Sequence, residues 1–100
     1  MTTPLTKAKI EKALVGLPGW SCKREALVKT FTFGSFKGAL AWMVRVGFEA
    51  EAMNHHPEWT NVYNRVEVRL STHDAGGKVT AKDVELARRM EMVARLGVGA

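Results

Sequence analysis

The chain has 100 residues, 46% hydrophobic and 25% charged, which fits one ordinary globular domain spanning residues 1–100. No apolar run approaches the ~18 residues needed to cross a bilayer, and Met1-Thr-Thr-Pro-Leu-Thr lacks the core of a secretion signal, so a cytoplasmic protein without a membrane partner is expected. The net charge of +5 is dispersed: Glu11 interrupts Lys7, Lys9 and Lys12, Glu67 separates Arg65 from Arg69, and Asp83 and Glu85 accompany Lys82, Arg88 and Arg89, so no direct nucleic-acid contact is expected.

Thr6 is placed to cap a first helix, with Leu5 and Ile10 as a hydrophobic staple. Ile10, Ala13, Leu14 and Leu17 then follow the spacing of one buried face, and Gly16 and Pro18 end the helix. From Trp20 the period changes to that of strands. Trp20-Ser-Cys-Lys reads as a short strand, Lys23-Arg-Glu as a turn, and Ala26 to Phe33 as a longer strand with Leu27, Phe31 and Phe33 on one face. The single cysteine, Cys22, rules out an internal disulfide and reads as a small half-buried strand residue.

Ser35 caps a second helix running from Phe36 to about Met53. It is apolar on more than one side: Phe36, Leu40, Met43 and Gly47 form one stripe, Trp42, Val46 and Met53 another. A sheet in a chain of this size covers one of these faces, and a symmetric subunit interface is expected on the second; neighbouring helices of the same chain are the alternative cover. Pro57 closes the segment. Glu58-Trp-Thr-Asn-Val and Arg65 to Ser71 then read as two strands around Tyr63-Asn64, with Val66, Val68 and Leu70 inward and charged residues outward. After the loop Asp74-Ala-Gly-Gly, Thr80 and Asp83 form a capping-box pair and Val79 and Val84 a staple for a third helix, which buries Val84, Ala87, Met90 and Ala94 and ends at Gly97. The order α-β-β-α-β-β-α predicts an α+β fold, a four-stranded antiparallel sheet with three helices packed on one face.

All three histidines, His55, His56 and His73, flank the second strand pair. A hairpin returns its ends to one place, so the three can share a pocket. Histidine donates or accepts a proton near neutrality, and such a cluster can supply an acid, a base and a substrate anchor. Glu51, Asn54, Ser71, Thr72 and Asp74 offer hydrogen-bonding groups nearby, and Trp20 and Trp59 flat apolar walls. From spacing alone, His-His-Pro can equally cap backbone carbonyls. Adjacent histidines on regular structure point apart and Cys22 belongs to the other hairpin, so no metal site is expected.

The run Glu51-Ala-Met-Asn-His-His-Pro-Glu-Trp-Thr-Asn-Val-Tyr-Asn-Arg-Val, followed by Leu70-Ser-Thr-His-Asp-Ala-Gly-Gly, closely resembles the pterin-4a-carbinolamine dehydratase family. The likeness extends to Gly19-Trp20, Phe31-Thr-Phe33 and Met43-Val-Arg-Val. It implies dehydration of 4a-hydroxytetrahydropterin to quinonoid dihydropterin, a hydro-lyase reaction that recycles the pterin of an aromatic amino acid hydroxylase, with no cofactor beyond the pterin substrate. By this resemblance His55 and His73 form the acid–base pair, in roles that can exchange with the stereochemistry at C4a, and His56 positions substrate. Glu51, Asn54, Ser71 and Thr72 match positions lining the family's pterin site, Trp20 matches an aromatic there, and Asp83 is the counterpart of an aspartate at a helix start. Two departures stand out: the first hairpin is shorter than is common, and Lys78 is an extra residue before the last helix. The resemblance also implies a homodimer or homotetramer built through the second helix and a sheet edge. An alternative is a non-catalytic interaction module, a transcriptional coactivator using that helix, for which a nuclear location would follow.

Overall fold

The computed structural model describes residues 3–100. Helix α1 (Lys7–Val15) leads into the hairpin β1 (Ser21–Lys23) and β2 (Ala26–Thr32), then α2 (Phe36–Met53), the hairpin β3 (Glu58–Val62) and β4 (Arg65–Leu70), and α3 (Ala81–Arg95). All strand pairs are antiparallel and the sheet order is β1-β2-β4-β3, so the second hairpin docks with β4 against β2. Leu27, Phe31, Val66, Val68 and Leu70 project from one face of the sheet into a core completed by Trp42, Val46 and Ala50 of α2 and Val84, Ala87 and Met90 of α3. The opposite face carries Thr30, Glu58, Thr60, Glu67 and Arg69 around an open hollow. The α+β sandwich expected from the element order is the fold observed.

Local chemistry accounts for the element boundaries. The hydroxyls of Thr6, Ser35 and Thr80 accept from backbone N–H groups of Lys9, Gly38 and Lys82, which otherwise lack partners in the first helical turn. Helix α2 ends with Asn54 in the left-handed region (φ 51°). Asn54 N–H donates to Glu51 O and His55 N–H to Ala50 O, the paired bonds of a Schellman ending. The β1–β2 turn places both Arg24 (φ 50°) and Glu25 (φ 62°) left-handed, the twist that suits a tight hairpin. At the centre, the Trp42 indole packs against Phe31, Phe33 and Trp59, with ring centroids 4.4, 5.3 and 6.1 Å away, and its N–H donates to Met90 O.

Three sequence readings are corrected here. Cys22 is exposed rather than half-buried. It lies on an edge strand, where α1 stands off and leaves a cavity of about 600 Å³ bordered by Leu5, Ile10, Leu14 and Cys22. For the same reason Ile10, Ala13 and Leu14 are only half-buried, and α1 contributes no fully buried residue. On α2, Ala39, Trp42, Val46 and Ala50 form the covered stripe; Met43, expected beside Phe36 and Leu40, packs against the core instead, and Val44 and Phe48 join Phe36 and Leu40 on an exposed face that no neighbouring helix covers among the described residues.

Candidate active site

The register Glu58↔Arg69 sets the residues before β3 beside those after β4. Asn54, His55, His56, Ser71, Thr72, His73, Asp74 and Lys82 accordingly line one pocket of about 260 Å³ at the end of the hairpin. Three short-range devices aim these groups. The left-handed turn at Asn54 reverses the chain as it leaves α2, sending His55 inward and leaving His56 exposed. The loop after β4 closes on itself: Thr72 N–H donates to Lys78 O, Ala75 and Gly77 N–H donate to Thr72 O, and Gly76 and Gly77 take φ of 74° and 77°. A single 3₁₀ turn, His73–Ala75, starts this loop and presents His73 at the surface. Finally, α3 begins beside the pocket with Thr80, Lys82 and Asp83.

The two adjacent histidines differ sharply. His55 is 8% exposed and its Nε2 lies 2.6 Å from Oδ1 of Asp83, a carboxylate with no exposure. Oδ2 of Asp83 accepts from Thr72 Oγ1 at 2.8 Å and from Thr80 N–H at 2.9 Å. No buried side-chain nitrogen or oxygen among the described residues lacks a partner, and Nδ1 of His55 makes no side-chain bond, so Nδ1 is the ring nitrogen that opens to the pocket. A carboxylate accepts and does not donate, so in the neutral ring the hydrogen belongs on Nε2 and the lone pair on Nδ1. His56 instead lies at the rim, its Nε2 2.7 Å from Oε1 of the exposed Glu51. His73 is exposed and makes no side-chain hydrogen bond among the described residues. Such a site can take a proton at one imidazole and deliver one from another.

Of the residues singled out from sequence, the pocket gathers His55, His56, His73, Asn54, Ser71 and Thr72, with Glu51 beside His56 and Asp83 beneath His55. Asp74, noted as a hydrogen-bonding group, also lines it. Trp20 is not brought there. It is buried, its indole N–H donates to Glu91 Oε2 at 2.9 Å, and its ring meets Phe31 edge-on. Trp59 is likewise directed at Trp42. The residue that sequence reasoning missed is Lys82; its signal was its place in the first turn of α3, directly before the capping aspartate. No group of three or more His, Cys, Asp or Glu among the described residues is arranged to hold a metal ion, and no helix there is long and apolar enough to cross a membrane.

An antiparallel sheet backed by helices, with a pocket lined by three histidines at the end of its second hairpin, defines a small α+β protein. Residues 3–93 match the family described as pterin 4 alpha carbinolamine dehydratase. A protein of Opitutus terrae, provisionally named a pterin-4-alpha-carbinolamine dehydratase, is 64% identical over 97 residues, covering 97% of this chain and 100% of the relative. A Bradyrhizobium diazoefficiens protein with the same provisional name is 52% identical, covering 99% of this chain and 100% of its own. The crystal structure of a transcriptional coactivator/pterin dehydratase from Brucella melitensis superposes with a TM-score of 0.87 at 40% identity, covering 91% of this chain and 98% of that one. This chain belongs to the pterin-4a-carbinolamine dehydratase family.

Proposed function

We propose that the protein dehydrates 4a-hydroxytetrahydropterins to quinonoid dihydropterins, returning the pterin used by an aromatic amino acid hydroxylase. The observation that carries this reading is the convergence of His55 and His73 on one pocket, with the first ring anchored to a buried carboxylate. In the reaction the C4a–O bond breaks, the departing oxygen takes a proton to leave as water, and N5 gives up its proton as its electron pair forms the C=N bond. The equation balances with one proton donor and one proton acceptor. His55, with Nε2–H on Asp83 and Nδ1 free, suits the acceptor, because Asp83 stabilises the imidazolium that forms. His73, exposed and without a competing partner, suits the donor. His56 with Glu51 at the rim, together with Asn54, Ser71 and Lys82, positions the pterin.

A stopped-flow dehydration assay on purified protein, run beside His56→Ala and His73→Ala, tests the reading. Loss of general acid–base catalysis costs ~10²–10⁴-fold in rate, and His73→Ala is expected in that range. Wild-type turnover no faster than spontaneous dehydration would overturn the enzyme assignment and leave the alternative, a non-catalytic interaction module.

Self-association forms part of the same proposal. Phe36, Leu40, Val44 and Phe48 line one exposed face of α2, with Phe48 71% exposed. A contiguous apolar stripe of this kind marks an interface, here with further copies of the chain as a homodimer or homotetramer, with the free edge of β3 as a second contact. Sedimentation showing only monomer at micromolar concentration would contradict it.

A further inference from the structure

We infer that Thr72 and Thr80 are positioning residues that hold the Asp83 carboxylate in the orientation that keeps Oδ1 on His55 Nε2, and thereby hold the ring with its hydrogen on that nitrogen. This deepens the catalytic reading above, on which it rests. The resemblance implies that Thr72 lies against the pterin, and its residue does border the pocket. Its hydroxyl faces elsewhere. Thr72 is 3% exposed, and Oγ1 lies 2.7 Å from Thr80 Oγ1 and 2.8 Å from Asp83 Oδ2.

Counting protons gives the chain a single direction. Each hydroxyl has one hydrogen to donate, and the ionised carboxylate has none. The Thr72 hydrogen therefore goes to Asp83 Oδ2, so the contact between the two threonines must be filled by the Thr80 hydroxyl donating to Thr72. Thr80 Oγ1 in turn accepts from Lys82 N–H at 3.2 Å, and Thr80 N–H donates to Asp83 Oδ2. Oδ2 thus receives two donors, and Oδ1 is left to receive one, from His55 Nε2. Thr72, Thr80 and Asp83 are buried with every side-chain oxygen partnered, so reversing a bond among them would leave a polar group without a partner inside the protein. Thr80 and Asp83 are the N-cap and N3 residues of α3. The capping box and the support of the catalytic ring are one network.

The test uses full-length Thr72→Val, Thr72→Ala and Thr72→Ser, with two readouts. The first is ¹⁵N NMR of the His55 ring nitrogens, which needs no substrate. The second is kcat and KM for dehydration. Wild type is expected to show His55 as the Nε2–H form. Thr72→Val and the less crowded Thr72→Ala free the carboxylate to turn Oδ1 away from the ring, and should mix in the Nδ1–H form and lower kcat by about tenfold, the loss of roughly one hydrogen bond, with KM within about twofold; Thr72→Ser should restore both. A rise in KM with unchanged ring signals would make Thr72 a substrate contact and overturn the inference, as would ring signals in all three variants identical to wild type. The NMR arm separates the two failures: a tautomer shift in a protein without dehydratase turnover removes the enzyme reading and leaves the positioning network standing.

Discussion

Asp83→Asn isolates the contribution of the carboxylate to the His55 ring. In the structure Oδ2 accepts from two fixed donors, Thr72 Oγ1 and Thr80 N–H, so the amide oxygen of asparagine must occupy that place. The amide NH₂ then faces His55 Nε2 across the former 2.6 Å contact. A donor opposite a donor is repulsive, so His55 has to move its hydrogen to Nδ1, and the nitrogen that faces the pocket loses its lone pair. The ring stays in position with the wrong tautomer, the outcome expected whenever an aspartate that orients a catalytic histidine becomes asparagine. Since proton transfer by a positioned side chain contributes ~10²–10⁴-fold, kcat is expected to fall by ~10²–10³-fold, about 3–4 kcal/mol at 1.36 kcal/mol per decade. KM should change little, because Asp83 has no exposed surface with which to touch substrate. The helix cap survives, so the stability cost is confined to the weakened ring contact, about 1–2 kcal/mol, or a Tm lower by roughly 5–15 °C for a domain of this length. Stopped-flow kinetics with thermal unfolding measured in parallel give both numbers. A folded Asp83→Asn protein with kcat within about threefold of wild type would refute the reasoning.

Substitutions at three further positions probe the scaffold. Trp20→Phe removes the indole N–H bond to Glu91 and should cost about 1 kcal/mol in denaturant titration with KM unchanged; a clear rise in KM would instead return Trp20 to the substrate site. Asn54→Gly should retain the left-handed helix ending, whereas Asn54→Ala should lower stability by about 1 kcal/mol, read as a drop in Tm. A fall in kcat or a rise in KM for the stable glycine variant would show that the Asn54 amide acts on the pterin. Phe48→Asp, placed on the exposed face of α2, should leave folding intact and yield monomer in sedimentation, and an unchanged oligomer would move the interface elsewhere.

The parts legible in the sequence are those encoded over short distances. The capping box Thr80/Asp83, the alternation of Val66, Val68 and Leu70, and the return of the second hairpin all appear as expected. What stayed hidden depends on which surface another element covers. Cys22 points to the helix side of the sheet, paired with Leu27, yet it sits on an edge strand that α1 does not reach. Trp20 matched an aromatic of the pterin site by motif, while the direction of its indole is decided by Glu91, far away in sequence. For Thr72 a usable signal was present: continuing the period of β4 past Leu70 turns Thr72 inward and Ser71 and His73 outward. The same parity separates His55 from His56.

The dependence of His55 on the start of α3 explains how a histidine doublet can present two unlike groups to one pocket. Two adjacent imidazoles have the same intrinsic chemistry and differ only in surroundings. His55 meets a buried carboxylate that receives its Nε2–H, Thr72 and Thr80; His56 meets Glu51 in water. The first is therefore fixed in tautomer, whereas the second can turn with the ligand. A helix N-terminus is a natural place for such a carboxylate, since its unpaired N–H groups and dipole already favour negative charge there. An aspartate at N3 can answer the cap with Oδ2 while Oδ1 remains directed at the ring. Glutamate could cap equally well, but its extra methylene would carry the second oxygen toward His55 and crowd the short contact. Length, more than charge, thus decides what the N3 residue of α3 can hold, and Asp83→Glu should keep the helix while displacing the His55 ring.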